Sequence, residues 1–116
     1  MLRKLTLCLL LTGATAASVL AHHGWGSYDA SKAITVEGPI TISKFENPHA
    51  LIAVKAGDKV WNVVLAPTSR MLSRGAPADF IAVGKTVSAY GYASTAEKDE
   101  MRAERITIDG KTVEMR

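Results

Sequence analysis

The three histidines of the sequence fall at two places. His22 and His23 are adjacent near the N-terminus, and His49 follows Asn47-Pro48, a dipeptide that marks a turn between two β-branched runs. Imidazole nitrogens bind copper, zinc and nickel, and Glu46 is close enough in sequence to orient the His49 ring. These residues indicate metal binding, provided that the fold brings both places together.

Cleavage of an N-terminal signal would make the histidine pair a better copper ligand. After a cut behind Ala21, the free amine and the imidazole of His22 can chelate one ion, and His23 adds a second imidazole. Nitrogen-rich ligand sets bind Cu(II) most strongly among the common divalent ions. If Ala21 itself becomes the first residue, the amine, backbone nitrogens and His23 can form a square-planar copper or nickel site. In the alternative interpretation both rings are solvated and only assist processing.

The distance between the two places is not an obstacle to a shared site. Residues 22–32 form an arm that spans at most about 36 Å when extended. The arm can therefore run back along the first strand and set His22 or His23 beside His49. We predict a copper ion bound by these three histidines, with Glu46 orienting His49. The alternative is that His49 is a turn residue that hydrogen bonds a backbone carbonyl and binds no ligand.

The first 21 residues have the composition of a secretory signal peptide. Two basic residues, Arg3 and Lys4, precede an apolar run over 5–11, and small residues continue to Ala21. The apolar run is too short to span a bilayer, so we expect no stable membrane anchor after cleavage. Cuts after Ala16 or Ala17 are the alternatives. We predict a periplasmic or secreted protein.

Composition excludes several functions for the predicted mature chain, residues 22–116. Of the 14 basic residues two lie in the signal, which leaves a net charge near +1 and no electrostatic footprint for nucleic acid. Cys8, the only cysteine, also lies in the signal, so neither a disulfide nor a thiolate ligand is expected. No nucleophile motif or glycine-rich phosphate loop is present, and we expect a binding protein rather than an enzyme.

Alternating, β-branched segments predict a β-rich domain over residues 33–116, preceded by the extended arm of residues 22–32. The predicted strands cover residues 33–45, 50–55, 59–66, 86–94, 101–108 and 112–115. Gly38-Pro39 predicts a bend in the first strand, and Thr68 is expected to cap a short helix over 69–74. Strict alternation in the fifth strand places Ile106 and Ile108 on the face opposite Met101.

Three strands, a short helix and further strands are the order of a small antiparallel OB-like barrel. A β-sandwich is the structural competitor, but the helix between strands three and four argues against it. A second functional hypothesis follows from the barrel: it acts as an interaction or ligand-binding module for a protein or polymer of the cell envelope. Its groove would then be lined by aromatic residues, namely Trp25, Tyr28, Trp61, Tyr90 and Tyr92.

Six short motifs occur in a characteristic order along the mature chain. They are Ala21-His22-His23-Gly24, Tyr28-Asp29, Glu46-Asn47-Pro48-His49-Ala50, Trp61, residues 70–75 and Met101-Arg102-Ala103. With these motifs the chain resembles a family of small exported bacterial proteins classified only as a domain of unknown function. The resemblance covers nearly all of the mature chain. It implies an exported OB-like domain whose activity is not established.

Overall fold

The protein is a six-stranded β-domain with one short helix, described for residues 24–116 by a computed structural model. The strands are β1 (Tyr28–Lys44), β2 (Leu51–Ala56), β3 (Lys59–Val64), β4 (Thr86–Ser94), β5 (Glu100–Ile108) and β6 (Lys111–Glu114). Helix α1 (Thr68–Ser73) lies between β3 and β4, and 3-10 turns cover Trp25–Ser27 and Ala78–Ile81. The predicted fold class is confirmed. The proposed signal peptide, His22 and His23 lie outside the described residues.

Strand β1 closes the sheet into a barrel by changing its partner halfway. From Ala33 to Pro39 it pairs with β4, and from Ile40 to Lys44 it pairs with β2, both antiparallel. The change follows Gly38-Pro39, where the sequence predicts a bend. The barrel closes on its other side through a short parallel pairing of β3 with the start of β5. This closed order, β1-β2-β3-β5-β4, is that of an OB-like barrel.

Inward-facing side chains of the strands fill the barrel. Fully buried members include Ile40, Val54, Val63, Val87, Met101, Ile106 and Ile108. In β5, Ala103 pairs with Gly91 and Arg105 pairs with Tyr90, so Glu104 is an extra residue in the ladder. This β-bulge shifts the alternation by one residue. The prediction that Ile106 and Ile108 face away from Met101 is therefore wrong, because the bulge returns both to the core.

Helix α1 closes one end of the barrel. Met71 is its one buried residue, and Gly75 follows the helix at φ 78°, a left-handed conformation that favours glycine. Thr68 does not cap the helix as predicted. Pro67 takes the N-cap position, and the Thr68 hydroxyl instead donates a hydrogen bond to Oδ1 of Asn47 at 2.8 Å. The helix is thereby tied to the loop that carries His49.

Met71 is expected to supply most of the docking energy of α1. Met71→Ala leaves a cavity in the core and should lower the free energy of unfolding by about 2–3 kcal/mol. Leu72→Ala is the matched control, since Leu72 is adjacent and 57% exposed, and should change stability by less than about 0.5 kcal/mol. Urea unfolding followed by circular dichroism measures both values. Equal losses of unfolding free energy in the two variants would contradict the docking of α1 through Met71.

The first strand begins earlier than the sequence indicates. Tyr28 pairs with Ser94, and its side chain is only 7% exposed, so β1 starts five residues before the predicted boundary at Ala33. The arm is thus attached to the barrel well before residue 33.

Among the described residues, no helix has the length and apolar character needed to cross a membrane.

Candidate functional site

Two loops meet beside Tyr28 at one end of the barrel and enclose a cavity of about 340 Å³, here called the loop cavity. The first loop, residues 45–50, joins β1 to β2 and carries His49. The second, residues 95–99, joins β4 to β5. The lining residues are Tyr28, Glu46, Asn47, Pro48, His49, Leu51, Val64, Glu97, Glu100 and Arg102. In OB folds the corresponding loops flank the ligand-binding face.

The imidazole of His49 lies beside the guanidinium of Arg102. Nη2 of Arg102 is 3.4 Å from Nε2 of His49, which makes a long and weak hydrogen bond. Arginine only donates, so in a hydrogen bond between these two groups Nε2 of His49 is the acceptor. Glu46 lines the same cavity, and its proposed role in orienting the ring stays a prediction.

Arg102 connects His49 to the N-terminal arm. Its guanidinium carbon lies 4.2 Å from the centroid of the Trp25 ring, and that of Arg116 lies 4.6 Å from the same centroid. Arg102 is only 5% exposed. Burial lowers the pKa of its guanidinium, and the positive charges of Arg70 and Arg116 lower this pKa further. Arginine nevertheless keeps its proton in proteins, so the cavity wall retains a fixed positive charge.

Tyr28 and Glu100 form a second polar pair in the cavity wall. The Tyr28 hydroxyl donates to Oε2 of Glu100 at 3.0 Å. Burial raises the pKa of the Tyr28 phenol well above its usual range, and the charge of Glu100 and the hydrogen bond to it raise the pKa further. Tyr28 is therefore a neutral donor at all physiological pH values, and it fixes the Glu100 carboxylate at the edge of the barrel.

The raised pKa of Tyr28 predicts an alkaline loss of stability. Above pH 10 the unfolded chain loses the phenol proton while the folded chain keeps it, so the free energy of unfolding falls as pH rises. Below pH 10 both states are neutral and Tyr28 contributes no pH dependence. Tyr28→Phe should flatten this decline between pH 10 and 11.5, measured by urea unfolding. Tyr90→Phe is the control, and an equal effect of both changes would contradict the assignment.

The lining of the loop cavity is acidic overall. The lining contains three carboxylates, those of Glu46, Glu97 and Glu100, and one guanidinium, that of Arg102. Within residues 24–116, however, no three histidine, cysteine or acidic side chains are positioned to hold one metal ion together. The cavity on its own therefore offers one imidazole and a negative environment for a cation.

Of the three predicted histidine ligands, the structure locates only His49, since His22 and His23 precede the described residues. Sequence reasoning missed Arg102 and Glu100 as cavity residues. The strand predicted over residues 101–108 leaves Glu100 in the preceding loop, whereas Glu100 begins β5 and pairs with β3. The sequence signal that could have identified Glu100 as a cavity residue is its polar side chain at the first position of a strand, directly after a loop.

Four of the five aromatic residues proposed for a groove form one connected surface. Trp25 makes edge-to-face contacts with Tyr28 and Tyr92, at centroid distances of 6.4 and 6.1 Å, and Tyr92 continues to Tyr90 at 6.3 Å. Trp61 instead packs against the core from β3, with Nζ of Lys59 lying 3.9 Å from its ring centroid. Trp61 is thus held by contacts of its own, and a groove lined by all five residues stays a prediction.

Comparison with solved structures supports the fold. The crystal structure of the S. pombe Stn1-Ten1 complex contains a similar chain, with a TM-score of 0.54 and 18% sequence identity over 66% of this protein. The match spans 57% of that chain, so the present protein corresponds to little more than half of its length. At this identity the likeness concerns the fold alone.

Comparison with sequences gives the family. No curated protein matches this chain. Residues 9–103, which include the loop of His49 and the arm that packs beside it, match the profile of a family of unknown function, DUF6152. The predicted resemblance to a domain of unknown function is confirmed, and the chain belongs to this family.

Proposed function

We propose that this protein is an exported, non-catalytic metal-binding protein that binds Cu(II) through His22, His23 and His49 and delivers or buffers the ion. One observation carries the proposal. The Trp25 ring lies against the guanidinium of Arg102, and that guanidinium contacts Nε2 of His49. The described start of the N-terminal arm is therefore in the immediate surroundings of the histidine that it is proposed to meet.

The remaining distance is short for the chain. His23 precedes Trp25 by two residues and His22 by three, which corresponds to at most about 11 Å of extended backbone. An imidazole side chain adds reach to each residue. Both histidines can therefore approach His49 without rearrangement of the barrel, and the amine of His22 becomes available after signal cleavage.

The charges of the cavity act in opposite directions on a bound cation. The carboxylates of Glu46, Glu97 and Glu100 give a negative potential that attracts Cu(II). Arg102 opposes a cation at Nε2 of His49, because its guanidinium is 3.4 Å away. Ligation by His49 therefore requires the guanidinium to turn away, because binding through Nδ1 would leave the ring proton on Nε2, facing the Arg102 donor. Glu46 is proposed to orient the ring once this has happened.

Copper titration of the mature chain tests the proposal. Protein with a native His22 amine should bind one Cu(II), with an electron paramagnetic resonance spectrum typical of nitrogen ligands. A chain that starts at Gly24 retains every described residue and serves as the control, and its affinity should be weaker by at least about 100-fold. Equal affinity of both chains, or no binding by the mature chain, would refute the use of the N-terminal histidines.

A second candidate function is an interaction module of the cell envelope, as the sequence also suggests. The connected rings of Trp25, Tyr90 and Tyr92 favour it, because all three are half-buried and partly exposed aromatic rings are common at binding surfaces. Arg105 already lies over Tyr90, at 4.8 Å from its centroid. Tyr90→Ala that leaves copper affinity unchanged but abolishes binding to an envelope fraction would favour this second function.

A further inference from the structure

The outer face of β2, with the neighbouring halves of β1 and β3, is here called the lysine face. Ile42 of β1 pairs with Ala53 of β2, which pairs with Asn62 of β3, so these residues form one row across the strands. Lys44 and Leu51 begin the next row. Since Ile52 and Val54 point into the core, the alternate residues of β2 point outward.

The lysine face exposes apolar side chains that a solvated sheet surface does not require. Ile42 is 54% exposed and Val60 is 46% exposed. Ile42, Leu51 and Asn62 border a shallow depression of about 120 Å³. Leu51 also lines the loop cavity, so the depression and the loop cavity lie on two sides of the same residue. Exposed apolar surface beside a concavity is typical of interaction sites.

The charge on this face has one sign. Lys44 and Lys55 are exposed, and the outward positions of residues 42–44, 51–55 and 60–64 contain no carboxylate. A ligand that fits must therefore combine apolar groups with negative charge. Extended peptides project side chains alternately to two sides, so a segment whose every second residue is in turn apolar and acidic presents both kinds of group on the one side that faces the sheet.

We propose that the lysine face binds an extended acidic segment of a partner protein. A second copy of this chain is disfavoured, because Lys44 and Lys55 of both copies would meet. Oligosaccharides are disfavoured because the face is mainly aliphatic, whereas aromatic rings lie on the opposite side of the barrel with β4. The proposal is independent of copper binding, since its residues include none of the three histidines.

Nuclear magnetic resonance of the labelled mature protein tests this proposal with a defined probe. The probe is an eight-residue extended peptide in which valine and glutamate take turns at every second position, with serine at the positions between, and the comparison peptide has lysine in place of glutamate. The acidic peptide should shift the backbone amide signals of Ile42, Leu51, Ala53 and Asn62. The double variant Lys44→Glu with Lys55→Glu should weaken its affinity by roughly tenfold or more. The control Lys32→Glu, an exposed lysine at the start of β1, should not change it.

Several results would overturn the proposal. Equal signal shifts with the lysine peptide and with the acidic peptide would do so, as would shifts confined to the aromatic surface. So would shifts of the lysine-face signals by a chitin-type oligosaccharide in place of the acidic peptide. Concentration-dependent shifts without any peptide would indicate self-association and would also contradict it. Absence of any shift at millimolar peptide would also reject it. Copper titration of the same double variant separates the two proposals, because its affinity for copper should equal that of the wild type.

Discussion

Gly91→Ala is expected to destabilise the barrel by at least about 3 kcal/mol. Gly91 faces inward on β4, opposite the bulge of β5. A methyl group on its Cα would overlap the carbonyl oxygen of Arg102 and lie 2.8 Å from Cα of Ala103. These neighbours are backbone atoms of a central strand, so no side-chain rotation can relieve the contact. The strand pair must separate instead.

Thermal unfolding measures this effect, and the midpoint should fall by more than about 10 °C. Gly26→Ala is the matched control, because no heavy atom lies within 4 Å of the added methyl group. Its midpoint should stay within about 2 °C of the wild type. A small change for Gly91→Ala would mean that β4 and β5 approach less closely than the structure indicates. The variant should also displace Arg102, since the strained contact is to its carbonyl group.

Much of the barrel is predictable from local sequence. The strand predicted over residues 86–94 has the observed bounds of β4, because Val87 and Ala89 alternate regularly with polar residues. Asp109-Gly110 predicts a type I′ turn, and both residues have positive φ, at 51° and 76°. The bend at Gly38-Pro39 is also indicated by local sequence, and the absence of a side chain at Gly38 leaves room for the backbone of Lys55 on β2.

The bulge at Glu104 is not predictable in the same way. Local alternation continues smoothly through Arg102, Glu104 and Ile106, and the extra residue is specified only by the pairing with β4. A bulge is a property of two paired strands and changes their local twist, so the shift in alternation appears only once β4 and β5 are paired. The bulge has a consequence for the aromatic surface, because it places Arg105 on the outer face of β5 with Arg102, and the two guanidinium groups lie over Tyr90 and Trp25 respectively.

The candidate site was predictable only in part for a related reason. His49 stands out in sequence as a histidine after an Asn-Pro turn, and it does line a cavity. Arg102 is 53 residues away and meets it only because β5 passes beside the loop of residues 45–50. Sequence spacing holds no information about such a contact. It also could not show that the Trp25 ring lies on the same guanidinium.

His49→Ala is expected to weaken Cu(II) binding by the mature protein at least about 100-fold, or roughly 2.7 kcal/mol. The physical reason is the loss of one of the three proposed imidazole ligands. Isothermal titration against a competing chelator measures the affinity. Asn47→Ala is the control, because it removes the hydrogen bond from Thr68 to the same loop and leaves every imidazole in place.

A double-mutant cycle with His23→Ala shows whether the two histidines hold the same ion. Residues that bind one ion are coupled, so the double variant should lose less affinity than the two single losses added together. If His49 and His23 bound separate ions, their losses would add and the stoichiometry would exceed one. If Asn47→Ala weakened binding as much as His49→Ala, the loop would act by positioning the arm. Unchanged affinity in His49→Ala would remove His49 from the site and leave only an N-terminal copper chelate.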